Sequence, residues 1–240
     1  MLLFVANWKM NLTRREAAEY VRDLSSRIGP ARPAAELSIA PPFTAFDAAR
    51  DPSERWSLTA QNVASEHSGP FTGEVSARML AEAGCRFVIV GHSERRRLFG
   101  ERPETLARKL ARAREEGLIP IYCLGETAEE RAAGETAATL ARQVESLRQD
   151  PSSTPLVVAY EPVWAIGTGH AATPEDAAAA RQHLLRLLGG RQNLRILYGG
   201  SVAPENAPAL LEFSGMDGFL IGGASLNPAA FAAIAGVGRP

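Results

Sequence analysis

The chain places a carboxylate directly after an apolar, β-branched segment. Leu156–Tyr160 has the composition of a buried parallel strand, and Glu161 follows it. A carboxylate at a strand end, beside a segment that excludes water, could act as a general base. Glu161 could equally cap a helix before an ordinary loop, and this stretch alone leaves both interpretations open. The predicted lid comprises Pro162, Val163, Trp164, Ala165, Ile166, Gly167, Thr168 and Gly169.

An imidazole and an ammonium group follow two other predicted strands. His92 lies just before a possible helix start, a position that disfavours the charged ring. Lys9 follows the first apolar run, and Glu94 is the candidate partner for its charge. Lysine is rare here, because 26 − 2 = 24 of the 26 basic residues are arginine and only Lys9 and Lys109 are lysine. This scarcity marks Lys9, at a strand end, as a candidate functional cation.

Two glycine clusters follow the last two predicted strands. Gly199-Gly200-Ser201 and Gly222-Gly223 can bring backbone N–H groups close to an anion, and a helix start after Gly223 would add its dipole. Ordinary turn glycine is the alternative, but two clusters at consecutive strand ends favour phosphate. A base, a neutral electrophile, a cation and a phosphate cradle together suit proton transfer next to a carbonyl.

Short apolar runs alternate with helical patterns along the chain, in eight β-then-α units without a linker. We therefore expect an α/β protein, with residues 1–240 forming one (β/α)8 barrel as a single catalytic domain. An open doubly wound sheet is the alternative, disfavoured because no G-x-G-x-x-G follows the first strand. The pattern predicts helices over Glu74–Ala83, Glu129–Gln149 (with Gly134 tolerated inside) and Pro204–Phe213.

Composition excludes several classes of partner. The net charge of −1 favours neither nucleic acid nor an anionic membrane, and no apolar run reaches membrane-spanning length. The two cysteines, Cys85 and Cys123, suit buried free thiols, and no metal-ligand spacing appears. Met1–Ala6 is too short for a signal peptide. We expect a cytoplasmic enzyme without metal or other cofactor.

Several motifs in order resemble the triosephosphate isomerase family along essentially the whole chain. They are Asn7-Trp8-Lys9-Met10-Asn11, Gln61-Asn62-Val63, Gly69 to Glu74, Gly91 to Arg96, Ala159 to Gly169, Tyr198 to Ser201 and Gly222 to Leu226. The resemblance implies interconversion of dihydroxyacetone phosphate and D-glyceraldehyde 3-phosphate through an enediolate, a step of glycolysis and gluconeogenesis.

The resemblance also implies a role for each site residue. Glu161 is the base, neutral His92 polarises the carbonyl, and Lys9 and Asn7 stabilise the enediolate and contact the substrate. Gly167, Ser201, Gly222 and Gly223 bind the phosphate, while Ser93, Glu94 and Cys123 support the site. The resemblance further implies that His92 is neutral and that the lid closes over the bound substrate.

The long segment 62–73 is implied to contact a second copy, with Thr72 reaching toward the partner's site in a homodimer. The lid ends in His170-Ala171-Ala172, where the family more often has Lys, then Thr or Val, then Ala, and Pro70 replaces a usual Ala. Two alternatives remain. One is another phosphate-binding barrel, such as an aldolase or a biosynthetic isomerase, which predicts a Schiff-base lysine deep in a strand or a second acid. The other is a catalytically inactive barrel that acts as a binding or scaffolding protein.

Overall fold

Eight parallel strands form a closed barrel in which each strand pairs with its neighbours in sequence. The computed structural model describes residues 1–29, 35–148, 150–151, 153–165, 172–189, 191 and 193–236. The strands are β1 (Leu3–Asn7), β2 (Glu36–Ala40), β3 (Ser57–Ala60), β4 (Cys85–Val90), β5 (Ile119–Leu124), β6 (Leu156–Tyr160), β7 (Leu194–Tyr198) and β8 (Gly218–Ile221). The predicted (β/α)8 barrel is confirmed.

The ring closes where β1 pairs with β8, from Leu3 opposite Gly218 to Ala6 opposite Ile221. Gly218 has φ +133, and a Cβ at this position would lie 1.9 Å from the carbonyl oxygen of Leu3. Only glycine permits so close an approach of the two backbones at the seam.

The strands are apolar along their length because both of their faces are buried. Residues such as Val5, Ile89 and Leu220 pack together inside the barrel. Their sequence neighbours, such as Phe4, Val88 and Phe219, pack in the layer between the barrel and the helices. This two-sided burial explains why the strand segments read as continuous apolar runs.

Helices follow the strands and cover the outside of the barrel. They are α1 (Arg14–Ile28), α2 (Phe46–Ala49), α3 (Ala77–Glu82), α4 (Ser93–Phe99), α5 (Pro103–Glu115), α6 (Ala128–Ala132), α7 (Thr136–Val144), α8 (Pro174–Leu187), α9 (Ala207–Ser214) and α10 (Pro228–Gly236). Of the helices in the described part of the chain, none is long and apolar enough to cross a membrane.

The single long helix predicted over Glu129–Gln149 is wrong, and Gly134 is the reason. Gly134 adopts φ +73, a left-handed conformation that ends α6. The chain restarts as α7 after Glu135 and then tightens into a 3-10 turn, Glu145–Leu147. Gln149 lies outside the described residues.

Two other helices begin three residues later than predicted. Helix α3 begins at Ala77 because Ser76 caps it, accepting a hydrogen bond from the Met79 N–H at 3.3 Å. Helix α9 begins at Ala207, after a turn in which Asn206 Oδ1 accepts from the Ala203 N–H at 2.8 Å.

Candidate active site

Lys9 leaves the end of β1 in an unusual backbone conformation. Its φ is +52, in the left-handed region that residues with a side chain rarely adopt. Two polar groups hold this turn: Asn7 Oδ1 accepts from the Lys9 N–H at 3.1 Å, and Gln61 Nε2 donates to the Lys9 carbonyl at 2.8 Å. The ammonium group then lies 2.6 Å from Glu94 Oε1, the partner considered for it above.

His92 is the N-cap residue of α4 and is 7% exposed. Its Nδ1 accepts a hydrogen bond from the backbone N–H of Glu94 at 3.2 Å. A ring nitrogen that accepts carries no proton, so this contact favours the neutral ring with its proton on Nε2. The imidazole can therefore donate from Nε2 into the barrel mouth.

Glu161 follows β6 and is 1% exposed. Its Oε2 accepts from the Ser93 N–H at 2.8 Å, at the start of α4. Its Oε1 lies 3.0 Å from His92 Nε2. Yet this oxygen has no aligned hydrogen-bond partner among the residues that the structure describes. One carboxylate oxygen is thus held, while the other keeps a lone pair for an incoming proton.

The two groups shift each other's pKa. Burial alone would raise the pKa of Glu161, but His92 and the hydrogen bonds from Ser93 together lower it below its ordinary value. For His92, burial favours a lower pKa, and the charges of Glu161 and Glu94 outweigh it and raise the pKa. A raised pKa favours the charged ring. The hydrogen bond at Nδ1 opposes this and favours the neutral ring, because protonation at Nδ1 would break the cap of α4.

These side chains share one cavity of about 220 Å³ with the glycine clusters. Ser201 follows β7, and its hydroxyl donates to the carbonyl of Ala165 at 3.1 Å, which joins this loop to the start of the lid. Gly222 and Gly223 follow β8 and lead into a 3-10 turn, Gly223–Leu226. The cavity brings together seven of the predicted residues: Asn7, Lys9, His92, Glu161, Ser201, Gly222 and Gly223.

A second carboxylate, Glu126, holds the first residues of the lid. It is fully buried after β5, and its Oε1 accepts from Trp164 Nε1 at 2.9 Å and from the Tyr160 hydroxyl at 3.0 Å. The guanidinium of Arg131 stacks on Trp164 at 4.0 Å from the ring centre and pairs with Asp176 at 2.7 Å. Sequence analysis assigned no role to Glu126, although its position at a strand end was a usable signal.

The other predicted residues lie as follows. Ser93 contacts Glu161, and Glu94 contacts Lys9, as described above. Cys123 is fully buried inside the barrel, where burial raises the pKa of its thiol, and Thr72 is exposed. Pro162, Val163, Trp164 and Ala165 are described, whereas Ile166, Gly167, Thr168 and Gly169, with His170 and Ala171, lie outside the described residues.

A larger cavity of about 620 Å³ lies at the opposite end of the barrel, where Glu36, Ser57 and Arg86 lie at or near strand starts. It contains none of the predicted catalytic residues. In this fold the amino ends of the strands serve stability and the carboxyl ends serve chemistry.

A closed (β/α)8 barrel with a buried carboxylate, an imidazole and an ammonium group beside a glycine-lined recess defines a class: barrel enzymes that move protons on small anionic substrates. The comparisons with known proteins specify the family. The family model for triosephosphate isomerase matches residues 2–237. This chain belongs to the triosephosphate isomerase family.

Curated relatives agree with that assignment. The triosephosphate isomerase of Symbiobacterium thermophilum is 48% identical, over 97% of this chain and 94% of the relative. That of Chlorobaculum tepidum is 48% identical, over 96% of this chain and 98% of the relative. The triosephosphate isomerase of Rubrobacter xylanophilus is 45% identical, over 95% of this chain and 94% of the relative.

Proposed function

We propose that this chain is an aldose–ketose isomerase that interconverts dihydroxyacetone phosphate and D-glyceraldehyde 3-phosphate, with Glu161 as its base. The observation that carries the assignment of the base is the position of Glu161 Oε1, which is buried 3.0 Å from His92 Nε2 in the shared cavity and has no aligned hydrogen-bond partner among the described residues. A buried carboxylate that is held by its other oxygen, beside an imidazole, can accept a proton from carbon.

In the proposed reaction, Glu161 removes a proton from the carbon next to the carbonyl, and the electron pair moves onto the carbonyl oxygen. His92 donates from Nε2 to that oxygen and then moves a proton between the two oxygens of the enediolate. Glu161 returns its proton to the neighbouring carbon, so atoms and charge balance. A positioned base typically supplies roughly 10²–10⁴-fold in rate.

Lys9 and Asn7 stabilise the negative charge that develops on the enediolate oxygens. Loss of one such donor typically costs on the order of 10²–10³ in rate. Ser201, Gly222 and Gly223 offer N–H groups to the phosphate, and Gly167 of the lid is proposed to do the same. Closure over the enediolate excludes water, and phosphate binding far from the reacting carbons helps to hold the lid shut.

The test compares Glu161→Gln with Glu175→Gln, a matched change at an exposed position on α8. Gln cannot take up the proton, so we expect kcat of Glu161→Gln to fall by about 10²–10⁴-fold with the fold intact by circular dichroism. Glu175→Gln should retain the wild-type kcat with glyceraldehyde 3-phosphate. Near-native turnover by Glu161→Gln would exclude this residue as the base.

The alternatives make different predictions for the same protein. An aldolase-type barrel needs a lysine for a Schiff base, but Lys109 lies on α5 and pairs with Glu101 at 2.5 Å. A scaffold predicts a well-folded wild-type protein without turnover. All three of Lys9, His92 and Glu161 are present and line one cavity, which supports the enzyme.

We further propose that two copies assemble through the loops that follow the first four strands. Exposed apolar side chains support this interface: Met10 is 96% exposed, Phe71 45% and Phe99 66%. Thr72 lies beside Phe71 and is proposed to reach the partner's site. Sedimentation of the wild type should give a dimer, and Thr72→Arg should give a monomer of lower kcat. A wild-type monomer with full turnover would contradict this assembly.

A further inference from the structure

The side chain of Gln143, on α7, makes both of its hydrogen bonds with one residue. Its Oε1 accepts from the backbone N–H of Gly125 at 2.9 Å, and its Nε2 donates to the carbonyl of the same residue at 2.9 Å. Exchange of the carboxamide oxygen and nitrogen would place donor against donor and acceptor against acceptor, so only one orientation fits. Gln143 thereby fixes both peptide planes that meet at Gly125.

One of those peptide planes holds the backbone of the proposed base. The Leu124–Gly125 peptide presents its N–H to Gln143, and its carbonyl accepts from the Glu161 N–H at 2.7 Å. An amide whose N–H is bonded becomes a better acceptor at its carbonyl. A chain of two hydrogen bonds through a single peptide group therefore connects Gln143 to Glu161.

The second peptide plane at Gly125 is followed by a contact with the first residues of the lid. The Gly125–Glu126 peptide receives the Nε2 donor, and the next carbonyl, that of Glu126, accepts from the Val163 N–H at 3.1 Å. Segment 124–126 thus supports both Glu161 and the first turn after it. Movement of this segment would shift the base and the lid entry together.

The backbones of Gly125 and Glu161 lie so close together that a shift of one would move the other. A Cβ at Gly125 would lie 1.7 Å from the Glu161 carbonyl oxygen, so the two backbones touch directly. Gln143 is itself anchored, because the hydroxyl of the buried Tyr122 donates to its main-chain carbonyl at 2.7 Å. Gln143 and segment 124–126, together called the clamp, thus connect α7, the end of β5 and the backbone of Glu161.

We propose that Gln143 is a positioning residue of the isomerase: it fixes the Leu124–Gly125 peptide and, through it, the backbone from which Glu161 reaches the substrate. This proposal rests on the proposed role of Glu161. It predicts an effect on the chemical step, since the phosphate cradle comes from the loops after β7 and β8.

The first experiment compares Gln143→Met with Gln182→Met, the same change at an exposed position on α8. Met matches the length of Gln but cannot make the two hydrogen bonds. A base displaced by a fraction of an ångström costs on the order of 10-fold in rate, so we expect that loss in kcat. KM should change less than kcat, because Ser201, Gly222 and Gly223 of the phosphate cradle lie on loops that Gln143 does not contact. Gln182→Met should match the wild type in both.

Chemical rescue separates positioning from a loss of folding. A cavity of about 340 Å³ adjoins Gln143, Gly125 and Leu124 and gives a small amide access to the clamp. In Gln143→Ala, propionamide should therefore raise kcat toward the wild-type value. 2-Butanone, of similar size but without an N–H donor, should not. Neither compound should raise the kcat of the wild type.

Two outcomes overturn the proposal: a folded Gln143→Met with wild-type kcat, or a loss in Gln143→Ala that propionamide and 2-butanone affect alike. Glu161→Gln serves as the reference for the proposed function. If Glu161→Gln loses turnover and Gln143→Met does not, only the positioning role fails. If Glu161→Gln keeps turnover, the base assignment itself fails.

Discussion

Lys9 has a strained backbone conformation, and its ammonium group contacts the carboxylate of Glu94. Its left-handed φ of +52 directs the chain into the barrel mouth, and its Nζ lies 2.6 Å from Glu94. The Lys9 side chain passes close to Gly222, at the end of β8. Its ammonium group therefore lies beside the cavity that Gly222 also lines.

We expect Lys9→Arg to lower kcat/KM by on the order of 10²-fold, although the charge is kept. The planar guanidinium is wider than an ammonium group and cannot occupy the same point beside the enediolate. Steady-state kinetics with glyceraldehyde 3-phosphate measure the loss, and thermal unfolding checks the fold. A variant with the kinetics of the wild type would show that only the charge matters.

The strand-end residues of the site were predictable, and the side chains that hold them were not. Asn7, His92 and Glu161 each follow an apolar run, and parallel strands must gather their carboxyl ends at one rim. Gln143 gives no comparable signal, because its function depends on a contact between α7 and the end of β5 that no local pattern encodes. Its position within α7 reads as an ordinary helix surface.

Among the elements, strands were easier to predict than helices. Burial on both faces gives each strand a continuous apolar run, and β6 has the bounds that the sequence predicted, Leu156–Tyr160. Helix patterns tolerate a glycine in principle, so Gly134 was placed inside one helix. The local pattern does not show that this glycine takes the left-handed conformation, which ends α6 before α7 begins.

Helix α8 begins where the lid ends, and its cap offers a test of that connection. Thr173 and Asp176 form a capping box, and Asp176 also binds Arg131, which stacks on Trp164. Thr173→Ala should cost about 1 kcal/mol of stability. Because the capping box includes Asp176, which holds Arg131 against Trp164 of the lid, we also expect a lower kcat.

The matched control is Thr13→Ala, which removes the capping box of α1. It should cost a similar amount, about 1 kcal/mol, with turnover unchanged. Urea unfolding and initial rates distinguish the two variants. Equal losses of stability with equal, unchanged rates would mean that the cap of α8 serves the helix alone.

Across the whole molecule, one buried ion cluster joins several elements. Glu101, before α5, accepts from Lys109 at 2.5 Å and from Arg95 of α4 at 2.6 Å. Lys109 also donates to Asn62 after β3 at 2.6 Å. Burial alone would raise the pKa of Glu101, but Lys109 and Arg95 together lower it below its ordinary value of 4.5.

This shift makes the stability of the protein depend on pH. A carboxyl group whose pKa is lower in the folded state stabilises the fold above pH 4.5, and the contribution is lost as the pH falls from there through the folded value. At neutral pH, Glu101→Gln should cost roughly 3 kcal/mol, because the buried Lys109 and the half-buried Arg95 lose their partner. The difference from the wild type should shrink in acid.

Urea unfolding of both proteins, from neutral pH to below the ordinary carboxyl pKa, measures that difference directly. A gap between wild type and Glu101→Gln that stays constant with pH would show that Glu101 contributes through packing and not through its charge. The comparison isolates this residue, since other carboxyl groups titrate equally in both proteins.

The seam between β1 and β8 has a consequence for how the protein is made. Leu3 leaves the ribosome well before its partner Gly218, because β1 comes first and β8 last among the eight strands of the barrel. Until β8 is made, this edge of β1 carries unpaired backbone groups and can join another strand. The nascent chain therefore has an exposed edge while the segment between β1 and β8 is made, and Lys9, just after β1, meets Gly222 only after β8 has paired. Catalytic activity in a translation mixture would thus report completion of the last strand.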